Sequence, residues 1–216
     1  MLKPEKPFKI VAFDIDGTLT KGQIWERTNT FFGVTQEEDA RLYNKYEAGE
    51  ISYAQWIDEL AKIYRKATKT QQDVLTSLTD FEFEAGAVKT VDELKKRYAI
   101  VLVTGGFDFY AERVAKALGI DEIHANAAII YNPDGTFKEF RYKGPEVDAK
   151  VTALQEIMKK HGAGAEEIVF VGDSSNDLNA FVLTQHGILI GRGSEKLRKA
   201  AWRCVDSLNE LAAIIQ

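Results

Sequence analysis

The chain has a single cysteine, Cys204, in 216 residues. A lone thiol can neither close an intramolecular disulfide nor build a cysteine-based zinc site, which fits a reducing cytoplasm. We expect it to be a small buried hydrophobe. No apolar run approaches the roughly 20 residues of a membrane span, and the opening MLKPEKPFKI lacks the apolar core of a signal peptide. Membrane insertion and export are therefore not expected. Basic blocks are missing too: 28 Lys and Arg against 33 Asp and Glu give a net charge of −5, without the cationic footprint of a nucleic-acid binder. There is no internal repeat or low-complexity tract. The 45% hydrophobic and 28% charged residues are the proportions of an ordinary folded protein, and the length suits one main domain with a sizeable insertion.

Three apolar runs rich in β-branched residues stand out: FKIVAFD at 8–14, AIVLVTG at 99–105 and EIVFVGD at 167–173, with GILIG at 187–191 as a fourth. Continuous apolar runs of this length suit strands covered on both faces of a parallel sheet. Helical patterns lie between them. One carries Val88, Val91 and Leu94 on a stripe, another closes on Gly119, and a third carries Val147, Val151, Leu154 and Met158 before Gly162. Pro-Asp-Gly between two β-prone runs marks a hairpin within 125–142. Strand–helix alternation predicts a doubly wound α/β fold with a Rossmann-like parallel-sheet core. Residues 21–84 break that alternation. Thr35 with Glu38 and Ser52 with Gln55 have capping-box spacing, so this stretch is expected to be an inserted α-helical cap domain, with 1–20 and 85–216 forming the core. It holds 10 of the 23 aromatic residues. Most should fill the core of a small bundle and the rest line a ligand cleft.

The chemistry-bearing residues cluster at predicted strand ends. DIDGT at 14–18 puts Asp14 and Asp16 at the carboxyl end of the first strand, where open α/β sheets place their ligands. A strand continuing through Asp16 would turn both carboxylates to one face. The same turn could equally be a loop whose aspartates bond local backbone. GDSSNDL at 172–178 adds Asp173 and Asp177 at another strand end. Four carboxylates this close repel unless a cation neutralises them, and oxygen-only ligands point to magnesium rather than zinc. VTGGF at 103–107 supplies the Thr104 hydroxyl and the backbone N–H groups of Gly105 and Gly106 for an anion. Lys150, near the start of the helix before GDSSNDL, is the candidate second cation.

In this order the four motifs resemble the haloacid dehalogenase superfamily of phosphatases, over nearly the whole chain. VTGGF and GDSSNDL are most similar to its phosphoserine phosphatase subgroup, and the insert falls where that subgroup has its helical cap. The resemblance implies that Asp14 is the nucleophile and that Asp16 acts as acid and then base. It further implies that Mg2+ is held by Asp14, the Asp16 carbonyl and Asp173, with Asp177 acting through a water or Lys150. Thr104, Gly105, Lys150 and Asn176 would bind the phosphoryl oxygens. The subgroup has a cap glutamate and a cap arginine for the substrate's ammonium and carboxylate. Here these positions align with Gln23 and Asp58, so small neutral, sugar-like or aromatic phosphomonoesters are expected to be better substrates than phosphoserine, with a phosphoserine phosphatase as the alternative. A phosphotransferase or mutase shares the motifs; the acid on the first strand and the inserted cap argue against a receiver-like protein, and a ligand-binding protein on the same fold would have little reason to keep every catalytic position.

Overall fold

A computed structural model describes residues 7–215. The four expected strands form the middle of a seven-stranded sheet. In chain order the strands are β1 (Ile10–Phe13), β2 (Ala99–Phe107), β3 (Glu122–Tyr131), β4 (Phe137–Tyr142), β5 (Ile168–Gly172), β6 (Gly187–Ile190) and β7 (Arg203–Val205). Their spatial order is β4-β3-β2-β1-β5-β6-β7. Every pairing is parallel except β3 with β4, the hairpin that the Pro-Asp-Gly turn predicts. The sheet is therefore mixed, with an antiparallel edge on a parallel core.

The two-residue period of the strands divides the core in two. Ile10, Ala12, Val101, Val103, Ile168 and Phe170 face one side; Val11, Phe13, Ile100, Leu102, Val169 and Val171 face the other. Helices α7 (Glu146–His161), α8 (Leu178–Thr184) and α9 (Glu195–Ala200) bury residues against the first set, while α5 (Ala87–Leu94), α6 (Asp108–Leu118) and α10 (Leu211–Ile214) bury theirs against the second. α6 and α7 end on Gly119 and Gly162, both with positive φ, the conformation that glycine adopts without Cβ strain.

Residues 24–77 hold four helices and no strand: α1 (Ile24–Phe31), α2 (Gln36–Glu47), α3 (Tyr53–Lys66) and α4 (Gln71–Ser77). Thr35–Glu38 and Ser52–Gln55 are both capping boxes, each worth about 1 kcal/mol. The chain enters and leaves this segment side by side: the Lys21 N–H donates to the Glu82 carbonyl and the Glu84 N–H to that of Leu19, both at 2.9 Å. The β3–β4 hairpin supports the helices from the far side. Tyr64 of α3 packs on Phe137 and Phe140, and the Gln71 N–H donates to the Gly135 carbonyl at 2.8 Å.

Four expectations need correction. Val88 is exposed; α5 buries Ala87, Thr90, Val91 and Leu94, one residue round from the expected stripe. α7 turns Ala149, Lys150, Ala153, Leu154 and Ile157 inward while Val147, Val151 and Met158 are only half-buried, because small alanines let the helix approach the sheet and carry the lysine into the interior. Cys204 is exposed: β7 is the edge strand, and the thiol stands on the face opposite buried Val205. Asp58 is exposed as well, beside Gln55, Glu59, Lys62 and Arg65 in a shallow depression. The face of α3 turned to the cleft below α1 and α2 carries Tyr53, Trp56, Ile57 and Leu60 instead. Among the described residues no helix is long and apolar enough to cross a membrane.

Candidate active site

β1 ends at Phe13, and an N–H bond from Asp14 to the Val171 carbonyl (2.9 Å) carries the chain one residue further along β5. There the strand stops. Three successive N–H groups, of Thr18, Leu19 and Thr20, turn back onto the Ile15 carbonyl, with Gly17 at a φ of +77°. Strand alternation therefore does not orient Asp16. The first turn of α1 does: the Ile24 N–H donates to Asp16 Oδ1 at 3.2 Å. Gly17 also leaves no room for a side chain, since a Cβ there would lie 2.5 Å from Asp173 Oδ2.

β5 delivers the second acidic group. After Gly172 the chain makes a short turn, and Asp177 Oδ2 accepts the Asp173 and Ser174 N–H groups, each at 3.0 Å. Its other oxygen accepts from Lys150 Nζ at 2.6 Å. That ammonium lies 3.1 Å from Asp14 Oδ1 and donates to Asn176 Oδ1 at 2.7 Å, so one fully buried cation ties together three of the expected residues. Oxygens of Asp14, Asp173 and Asp177 come within 4.8 Å of one another. The Asp16 carboxylate is not in that group. Thr18 Oγ1 donates to Asp173 Oδ1 at 2.9 Å and orients it. Removing either partner from a buried pair such as Lys150–Asp177 typically costs about 3–5 kcal/mol.

β2 continues to Phe107, so Thr-Gly-Gly lies in a bulged strand end. The bulge points Thr104 Oγ1 back to accept the Gly106 N–H at 2.9 Å. Trp25 of α1 donates from Nε1 to the Gly105 carbonyl at 3.1 Å and packs on Phe107 at 4.2 Å, pinning the helical segment to this loop.

Two residues beside these groups were not singled out by the motifs. Trp25 offered no spacing signal beyond its aromatic character. Glu146 did: it precedes Lys150 by four residues, which puts both on one face of α7. Its Oε2 accepts from Asn176 Nδ2 at 2.7 Å, and it packs so closely on Gly105 that a Cβ there would collide with its carboxylate.

Burial and mutual repulsion govern the electrostatics. Burial first, then the charges of Asp177, Asp173 and Asp16, push the Asp14 carboxyl well up, against the pull of Lys150. Burial pushes Asp16 up to about 7 and, with the help of Asp177, Asp173 up to about 6. Burial opposes the Lys150 charge, but Asp14 and Asp177 outweigh it and the pKa rises. One lysine leaves this acidic group undercompensated, and an all-oxygen donor set of this kind fits a hard divalent cation.

The arrangement, a carboxylate pair after the first strand with a lysine, a hydroxyl and a second acidic turn on neighbouring strands, can be set beside known proteins. A family model for haloacid dehalogenase-like hydrolases matches residues 11–181. The chain belongs to that family. It is 28% identical over 180 residues to the phosphoserine phosphatase of Methanocaldococcus jannaschii, covering 82% of each chain. It is 29% identical over 172 residues to that of Archaeoglobus fulgidus, covering 78% of this chain but only 48% of the longer relative. A solved structure described as a phospho-aspartyl intermediate analogue of phosphoserine phosphatase superposes with a TM-score of 0.79 at 26% identity, over 98% of this hydrolase and 100% of that chain.

Proposed function

We infer that this enzyme, a phosphatase of the haloacid dehalogenase-like family, hydrolyses a small phosphomonoester through an aspartyl-phosphate on Asp14. The observation that carries the reading is the Asp14 carboxylate at the end of β1, 3.1 Å from the buried Lys150 ammonium and grouped with Asp173 and Asp177. An Asp14 oxygen attacks phosphorus, and the bond from phosphorus to the ester oxygen breaks. Asp16, whose carboxyl sits near neutrality, gives its proton to the departing alkoxide. Water then attacks the acyl phosphate, Asp16 takes back a proton, and Asp14 is released with inorganic phosphate. Thr104, the Gly105 N–H, Lys150 and Asn176 hold the phosphoryl oxygens.

Asp14, the Asp16 carbonyl and Asp173, with Asp177 behind them, would hold Mg2+. The ion supplies charge neutralisation between carboxylates and phosphate. The helices of residues 21–84 serve as the cap that excludes water and reads the alcohol. A small phosphate ester is thus the partner, and a reducing cytoplasm the compartment.

Phosphoserine is the substrate that the relatives' names suggest, and the cleft argues for a different alcohol. A cavity of about 440 Å³ lies between α1, α2 and α3, walled by Gln23, Trp25, Tyr53, Trp56 and Leu60 among others, with no Lys, Arg or His in its lining. A buried carboxylate without a cation is poorly compensated. Release of inorganic phosphate from a panel of esters tests both levels. We expect turnover with Mg2+, none in EDTA, and phosphoserine at least tenfold below the best ester in kcat/KM. Full activity in EDTA would refute the metal scheme, and a tenfold lead for phosphoserine would refute the substrate reading. A phosphotransferase would instead pass phosphate to an added alcohol, and its phosphate release would fall short of ester consumed.

A further inference from the structure

Glu146 occupies a position that the phosphatase chemistry does not use. It stands at N1 of α7, one turn before Lys150, with its carboxylate held by Asn176 and laid over Gly105. Asn176, Gly105 and Lys150 are three of the groups that would cradle the phosphoryl oxygens. Glu146 also lines the 440 Å³ cavity of the helical segment and a second cleft of about 460 Å³ walled by Tyr46, Ser175, Asn176 and Lys196. It is thus the partition between the phosphoryl cradle and the space in which the ester's alcohol must lie.

The rest of that space has a consistent character. Tyr43, Tyr53 and Trp56 line both clefts along with Glu146. Trp56 has Tyr43 and Tyr53 edge-on, each at 5.8 Å, and Tyr46 stacked on it at 5.1 Å. Burial and then the Glu146 charge raise the Tyr53 phenol above its usual range, and Glu146 adds a smaller push at Tyr43 and Tyr46, after burial and Glu47. Glu26 and Asp39 add two more carboxylates to the first cavity. An alcohol carrying its own carboxylate would meet like charge at Glu146. A neutral alcohol would leave the Glu146 charge to Lys150, which Asp14 and Asp177 already share, and to the Asn176 amide. An ammonium group would be drawn to the carboxylate and to the electron-rich ring faces together.

We propose that Glu146 is a specificity-determining residue and that, with the Tyr43–Tyr53–Trp56 wall, it selects phosphomonoesters whose alcohol bears a positively charged ammonium group and no carboxylate. The selection rests on the phosphomonoesterase reading of the site. It acts on binding and orientation of the leaving alcohol and leaves the two displacement steps at Asp14 as described.

The test compares four esters on the full-length protein with Mg2+: 2-aminoethyl phosphate, 2-(trimethylammonio)ethyl phosphate, the uncharged shape-match 3,3-dimethylbutyl phosphate, and phosphoserine. In the unaltered enzyme the better cationic ester should exceed the uncharged one in kcat/KM by at least tenfold, mainly through KM, and phosphoserine should rank last. Glu146→Gln should reduce the cationic-to-neutral ratio to within about threefold. The free amino alcohol should inhibit competitively in the unaltered enzyme and lose that inhibition in the variant. A ratio at or below one in the unaltered enzyme, a measurement that does not depend on any variant folding, overturns the proposal while leaving the phosphatase reading intact. A ratio that survives Glu146→Gln overturns the role of Glu146. Hydrolysis of none of the four esters, with turnover of another ester in the wider panel, likewise overturns the proposal and leaves the phosphatase reading intact.

Discussion

The strand ends and the cleft under α1–α3 adjoin each other, yet they are built on opposite principles. At the ends of β1 and β5 charges are crowded and tied to one another by hydrogen bonds: Lys150 alone contacts Asp14, Asn176 and Asp177, and Asp177 accepts two backbone N–H groups besides. In the cleft, rings and aliphatic chains share the walls with the uncharged polar Gln23, Asn29, Thr30, Thr35 and Gln36, and its carboxylates, Glu26, Asp39 and Glu146, have no Lys, Arg or His among the described lining residues. A site fixed by mutual hydrogen bonds loses its chemistry when a residue type changes, even where the change relieves charge and leaves the fold intact. A cleft fixed by packing can change its side chains and its ligand together. Reaction and substrate preference are therefore separable in this protein.

The sharpest way to break that comparison is to alter the nucleophile. Asp14→Asn keeps the shape, removes one negative charge from the cluster, and should lower kcat by at least a thousandfold with no loss of melting temperature. Activity within tenfold of the parent would end the nucleophile assignment. Asp16→Asn should cost roughly a hundredfold on alkyl phosphates and at least tenfold less on aryl phosphates, whose leaving groups need little protonation. Equal losses on both would remove the acid role.

A third measurement concerns stability. Asp16 and Asp173 have folded-state pKa values of about 7 and about 6 against a usual 3.8, so both hold their protons more tightly in the folded protein. Their ionisation therefore destabilises the fold progressively as pH rises from about 4 to 7, and the stability present at low pH is lost. In EDTA, Asp173→Asn should raise the melting temperature at pH 7.5 by roughly 3–6 °C and leave it unchanged near pH 4, read by calorimetry. Adding Mg2+ should narrow the gap between variant and parent. A pH-independent gap would count against an undercompensated acidic cluster.

The smallest expected effect tests the cleft's boundary. Asp58 lies outside the cleft lining, beside Lys62 and Arg65. Asp58→Arg should change kcat/KM for any ester, phosphoserine included, by less than twofold, and a larger change would extend the substrate-reading surface to that part of α3.

Much of this was legible in the sequence because the governing interactions are local or periodic. The apolar runs became β1, β2, β5 and β6, and both capping boxes formed because their three-residue spacing is set by the helix itself. Asp14, Asp173, Asp177 and Lys150 could be picked out as strand-end and helix residues of the right chemistry. What the sequence could not fix was orientation. A stripe of apolar residues gives a helix's face only to within about one residue, and the sheet then selected Lys150 and the alanines of α7 for the interior in place of Val147 and Val151. Asp58 and Leu60 are two residues apart on one helix, yet only packing against α1 and α2 decided which of them faces the cleft. Glu146 shows the same limit. Its spacing from Lys150 was written in the chain, but its place over Gly105 depends on β2, α7 and the turn after β5 meeting in space, contacts between residues up to 41 positions apart that no local pattern encodes.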